Sequence, residues 1–113
     1  MAERFIRVFS LSERLYAENS PVFIEAGALT KDSQTGKLFA QIKFRNVTRK
    51  VIKAVKLHLL CKDTIGTPVG EKVPFQYLDL SVAYQQEFGG KTTIAIPEQT
   101  VRSFEILVDE VIF

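Results

Sequence analysis

The side chains best suited to chemistry gather in one stretch, FRNVTRKVIKAVKLHLLCKDTIG, which runs from Phe44 to Gly66. It contains six Lys and Arg residues, together with the only histidine of the chain, His58, and its only cysteine, Cys61. Cations at this density can hold phosphate or another anion, lysine as a point charge and arginine as a two-pronged fork. An imidazole can act as a general base when a nucleophile or an orienting carboxylate lies within reach, and the neighbouring sequence offers His58 neither. One Cys and one His can close neither a disulfide nor a zinc site. The stretch therefore offers a face for an anion or a partner, with Lys43, Arg45, Lys56 and His58 as its candidate residues, rather than an active site.

Other constellations are thinner. Ser10, Ser12, Ser20, Ser33, Ser81 and Ser103 all lack the G-x-S-x-G context of an activated nucleophile. Asp109 and Glu110 are sequence neighbours that a regular strand would send to opposite faces. Asp79 and Glu87, on either side of LSVAYQQ, are the nearest approach to a glycosidase-like pair. FGGK around Gly89 and Gly90 is too short for a phosphate loop and reads as a hairpin turn. Asp32 and Asp63 stand apart from other acids, which argues against calcium, and NVT at Asn46 to Thr48 is a chance match to a glycosylation acceptor. No catalytic residue, metal site or cofactor is expected.

The elements that must position these residues repeat with period two. In GKLFAQIKFRNV, the residues Leu38, Ala40, Ile42 and Phe44 share one side and Gln41, Lys43 and Arg45 the other, as a half-buried strand requires. In VIKAVKLHLLC the inward set is Val55, Leu57, Leu59 and Cys61, with Lys56 and His58 outward. Further strands are expected from Pro21 to about Leu29, in EKVPFQYLDL (Val73, Phe75 and Tyr77 inward), in KTTIAI, and in RSFEILVDEVIF (Phe104, Ile106 and Val108 inward). Pro74 suits an edge or bulged strand. KDSQTGK, NVTRK, KDTIGTPVG, FGGK and IPEQT supply the turns. RFIRVF reads as an extra strand, and LSERLYAEN carries a weak helical pattern through Leu11, Leu15 and Tyr16.

Composition sets the frame around this pattern. With 113 residues, 46% hydrophobic and 25% charged, the chain is sized for one domain with a real core and is not of disordered type. No apolar run approaches the roughly 20 residues of a membrane span. Arg4, Arg7, Glu13 and Arg14 interrupt what would be the apolar centre of an export signal, and a lone cysteine fits a reducing compartment, so a cytoplasmic location is expected. Net charge is only +2, but between Lys31 and Lys62 nine bases stand against one acid, Asp32, while the remainder has six against twelve. Such asymmetry marks either a binding face or two parts of a chain that lie against each other.

The run AQIKFRNVTRKVIKAVKLHLLCKDTIGTPVG resembles the signature of bacterial immunoglobulin-like β-sandwich modules, the FxLYD type among them. That signature is an alternating strand ending in Asn, a short polar turn, a second alternating strand and Asp-x-x-Gly. Asn46, Thr48, Ile52, Val55, Leu57, Asp63 and Gly66 stand at its positions. More loosely, most of the chain is similar to an uncharacterised domain of Firmicutes-type bacterial proteins. The resemblance implies that the two alternating strands lie in opposite sheets, joined by an arch. The residues alone also permit a hairpin with Thr48 to Val51 as the turn. In that hairpin Lys43 would stand opposite Lys56, an unfavourable like-charge pair without an anion beside it. In the arch the two lysines lie on different surfaces, and Glu105 and Asp109 are expected to neutralise Lys56 and its neighbours across the sheet.

The expected fold is therefore an all-β, immunoglobulin-like β-sandwich of about seven to eight strands. Residues 1–113 form one domain, with 1–20 as an extra strand or short helix ahead of the core sandwich. The expected function is that of a non-catalytic interaction or accessory module for a protein partner, with homodimerisation through a sheet edge, near Pro74 or the terminal strand, also open. The alternative is anion or nucleic-acid binding through the Lys43 to Lys62 face. Nucleic acid is disfavoured because most aromatic residues fall on the core parity, Phe39 being the main exception, which leaves few platforms for stacking bases.

Overall fold

The computed structural model describes residues 4–11 and 20–113. Eight strands account for the regular structure of the described residues: β1 (Phe5–Ser10), β2 (Val22–Asp32), β3 (Leu38–Asn46), β4 (Ala54–Lys62), β5 (Val73–Tyr77), β6 (Glu87–Phe88), β7 (Ile94–Ile96) and β8 (Ser103–Ile112). The helical pattern expected after Leu11 lies outside the described residues, among which there is no helix.

The strands form two antiparallel sheets. The first has the order β1-β2-β3, with β6 and β7 both pairing along the far side of β3; the second has the order β5-β4-β8. The chain crosses between sheets after β3, after β5 and after β7. It is the two-layer β-sandwich that the alternation implies. Leu38, Ala40, Ile42 and Phe44 face Val55, Leu57, Leu59 and Cys61 in one continuous core, each apolar side chain removed from water contributing roughly 2 kcal/mol. Aromatic contacts bridge the layers. Phe44 and Tyr77 meet edge to face with ring centres 5.6 Å apart, and Phe9 meets Phe104 at 5.3 Å.

The connection from β3 to β4 is the arch, not the hairpin. Its anchor is Asn46, fully buried at the end of β3 on the inward side. Its side-chain nitrogen donates to the carbonyls of Lys50 and Val82, and its side-chain oxygen accepts from the backbone N–H and the hydroxyl of Thr48. An asparagine has two donors and about two acceptor sites, so this one is saturated. Asp63 closes the next turn: its carboxylate accepts from the N–H groups of Ile65 and Thr67, with Gly66 at φ 86°.

One turn expectation is corrected. Gly89 and Gly90 do not make a hairpin, because β6 and β7 run in the same direction beside β3. They form a break in one interrupted edge strand. Gly89 sits at φ 85°, where a Cβ would come within 2.7 Å of the Ile42 carbonyl oxygen, so the close approach of the two backbones depends on glycine.

Candidate functional site

Lys43 and Arg45 lie on the outward side of β3, whereas Lys56 and His58 lie on the outward side of β4, in the other sheet. The sandwich core separates the two pairs, so the four candidates do not share one surface. Each pair meets acids on its own sheet.

On the first sheet, Glu25, Lys43, Arg45 and Glu87 form a network across three strands. The guanidinium of Arg45 donates to the Glu25 carboxylate, to Glu87 at 2.7 Å and to the Gln85 carbonyl at 2.6 Å. Lys43 reaches Glu87 at 3.1 Å and Glu25 at 4.0 Å. The Arg45 hydrogen bond holds the Glu25 carboxyl below the usual carboxylate range, and Glu25 in turn raises Arg45. Two cations satisfied by two carboxylates leave little attraction for a further anion.

On the second sheet Lys56 pairs with Glu110 at 3.6 Å, His58 Nδ1 contacts the Asp109 carboxylate, and Lys62 pairs with Glu105. Two expectations change here. Asp109 and Glu110 do not point to opposite faces; both are exposed and reach the same row of β4 side chains. The cause is a β-bulge. Leu57 faces Val108 and Lys56 faces Glu110, so Asp109 is an extra residue in β8. His58 thus has an orienting carboxylate, supplied across the sheet rather than along the sequence. It stands on an open sheet face beside Leu107 and Pro74, and the buried Cys61 thiol, raised by burial, faces the core on the opposite side of β4.

The same device operates in the first sheet. Ile24 faces Phe44 and Ala26 faces Lys43, which leaves Glu25 as the extra residue of β2. In both strands the bulged residue is an acid, and in both it meets a basic side chain of the adjacent strand. The signal lies in the spacing of the inward residues, which is three rather than two from Ile24 to Gly27 and from Val108 to Val111.

No protein-family model, curated protein or solved structure matches this chain. Two features of the surface stand out. The first is the margin of the second sheet at β8, a ten-residue strand that pairs only with β4 among the described residues. Glu105, Leu107, Asp109, Glu110 and Ile112 are exposed along it, and Ile106 and Val108 lie half-buried at the rim of the core.

The second is the arch. Arg49, Lys50 and Lys53 have no carboxylate partner among the described residues. Arg49 lies over the Tyr84 ring at 4.9 Å and Lys50 over Phe113 at 5.4 Å, flanking a shallow groove floored by Pro21 and Val47. Elsewhere, the buried Asp32 receives a two-pronged contact from Arg4 and caps the turn after β2, a structural role. Among the described residues no cluster of three or more His, Cys, Asp or Glu could hold a metal ion, and no helix is long and apolar enough to cross a membrane.

Proposed function

We propose that the chain is a non-catalytic interaction module that binds a protein partner by accepting an added strand at the edge of β8 that no other described strand pairs. The observation that carries this is the contrast among the sheet margins. β5 is short and holds Pro74, which has no N–H to offer; β6 and β7 are two and three residues long and broken at Gly89; β1 is six residues with a register shift at Val8. β8 is ten residues, and its Ser103 to Val108 portion is regular. Unpaired backbone donors and acceptors along such an edge give affinity to any extended segment of matching side chains. The sequence resemblance to bacterial FxLYD-type modules points the same way, and the lone buried cysteine suits the cytoplasm as the compartment. The His58–Asp109 pair lies on an open sheet face rather than in a cleft, which supports a non-enzymatic role.

The test is selection of binders from a library of random extended peptides, followed by amide hydrogen exchange on the complex. Protection of β8 amides is the expected result; binders that protect other strands, or a failure to recover any, overturn the proposal.

A second reading, anion or nucleic-acid binding, is favoured by the three cations of the arch that have no carboxylate partner among the described residues. A steeply salt-dependent oligonucleotide complex at about 0.1 M salt that disappears in Arg49→Ala with Lys50→Ala would establish it and displace the first.

A further inference from the structure

We infer that the strand accepted by β8 is amphipathic, with Lys or Arg on its outward side and aliphatic residues on its inward side. The inference rests on the edge reading above and assigns the occupant its chemistry.

The outward side of β8 presents Glu105, Leu107, Asp109 and Glu110 in succession. Their cationic partners, Lys62 and Lys56, and His58 beside Asp109, all belong to β4, the inner neighbour. All three acids are exposed, and the outward row of β5 that completes this face, Pro74 and Gln76, is uncharged. Three acids therefore stand against two lysines and one histidine, and it is the acids that belong to the marginal strand. A strand laid against β8 places its outward side chains directly opposite or diagonal to these acids, where opposite charges attract and like charges repel.

A second copy of the chain is disfavoured on the same ground. Antiparallel self-pairing with Leu107 on the two-fold axis sets Glu105 opposite the Asp109 of the other copy. With Glu105 on the axis it faces itself, and with Ile106 on the axis each Glu105 becomes a diagonal neighbour of two acids. No register near the middle of the strand avoids acid beside acid. On the inward side, Ile106 and Val108 are half-buried and packed against the core. Aliphatic residues at alternate positions of the added strand extend that core.

Fluorescence anisotropy on the full chain with three labelled synthetic peptides tests this: one alternating Lys and Val, one alternating Glu and Val, one alternating Lys and Ser. The Lys/Val peptide is expected to bind and to protect the amides between Ser103 and Val108 from exchange. The other two are expected to bind about tenfold more weakly or worse. Glu105→Lys with Asp109→Lys should reverse the preference between the Lys/Val and Glu/Val peptides. The milder Glu105→Gln with Asp109→Asn, which removes charge without adding any, should level it. If Lys/Val and Glu/Val bind equally and both protect β8, the edge reading stands and this inference fails. If none protects β8, or if the unliganded chain dimerises through β8, both fail.

Discussion

Asn46 and Val82 are joined by a buried hydrogen bond, the Asn46 amide donating to the Val82 carbonyl at 2.9 Å across 36 positions of sequence. Val82 is also bridged to Ile52 by a reciprocal pair of backbone bonds. One side chain therefore ties together the end of β3, the arch and the loop before β6. Asn46→Ala would remove one of the two hydrogen bonds at each of the Lys50 and Val82 carbonyls, take the acceptor from the Thr48 N–H, and leave a void at a fully buried position. The expected loss is about 3 kcal/mol, read as a lower urea midpoint with an unchanged slope. Asn46→Asp should cost at least as much, because it places an acceptor where two carbonyls need a donor.

Asp32 sets an acid limit. The Arg4 guanidinium beside it is the main cause that holds its carboxyl at about 2, against an ordinary value of 3.8. Because the folded value lies below the unfolded one, the group's stabilising contribution is fully present above pH 3.8 and is lost as the pH falls from there towards 2. Arg4→Ala should leave less stability to lose in that window. Urea unfolding as a function of pH is the measurement, and identical pH profiles for the two proteins would remove Arg4 as the cause.

Gly89→Ala should destabilise by about 2 kcal/mol, since it forces a Cβ into a left-handed backbone and against the Ile42 carbonyl. Gly90→Ala is the comparison: its Cβ would find only the Lys43 side chain, at 3.7 Å. A near-neutral outcome for Gly90 and a large one for Gly89 is expected in thermal or urea unfolding.

Tyr77 is buried against Phe44, Phe75 and Phe88, and no described protein group bonds its hydroxyl. Burial drives its titration above the ordinary phenol range. Tyr77→Phe keeps the ring contacts and removes the unpaired oxygen, so a gain of about 1 kcal/mol is expected. A loss in the urea midpoint would show that the hydroxyl is satisfied in solution.

The layers of the sandwich are legible in the sequence because burial on one face imposes period two, and Leu38 through Phe44 and Val55 through Cys61 keep that period without interruption. Asn46 falls on the same inward parity, which already marks it as a polar residue needing internal partners. Charges are legible in the same way, as outward residues, but their partners are not. Which acid meets which base depends on cross-strand register, and the two extra residues, Glu25 and Asp109, displace that register by one. A strict alternation sends Glu110 inward and sets Asp109 opposite Lys56 rather than beside His58. The step of three from Val108 to Val111 carries the correction, yet it is a small irregularity set against a long regular pattern. The arch is decided by the partners that Asn46 finds in Thr48, Lys50 and Val82, the last of which no local pattern brings near.

The bulges at Glu25 and Asp109 also tie the length of the chain to the charge it displays. Dropping a single codon for Glu25 or Asp109 would restore an unbroken pleat and keep every core residue facing inward, while stripping one negative charge from the corresponding surface. A deletion within Leu38–Asn46 would instead turn half of that strand inside out. At these two positions a change of length thus retunes the surface rather than the interior.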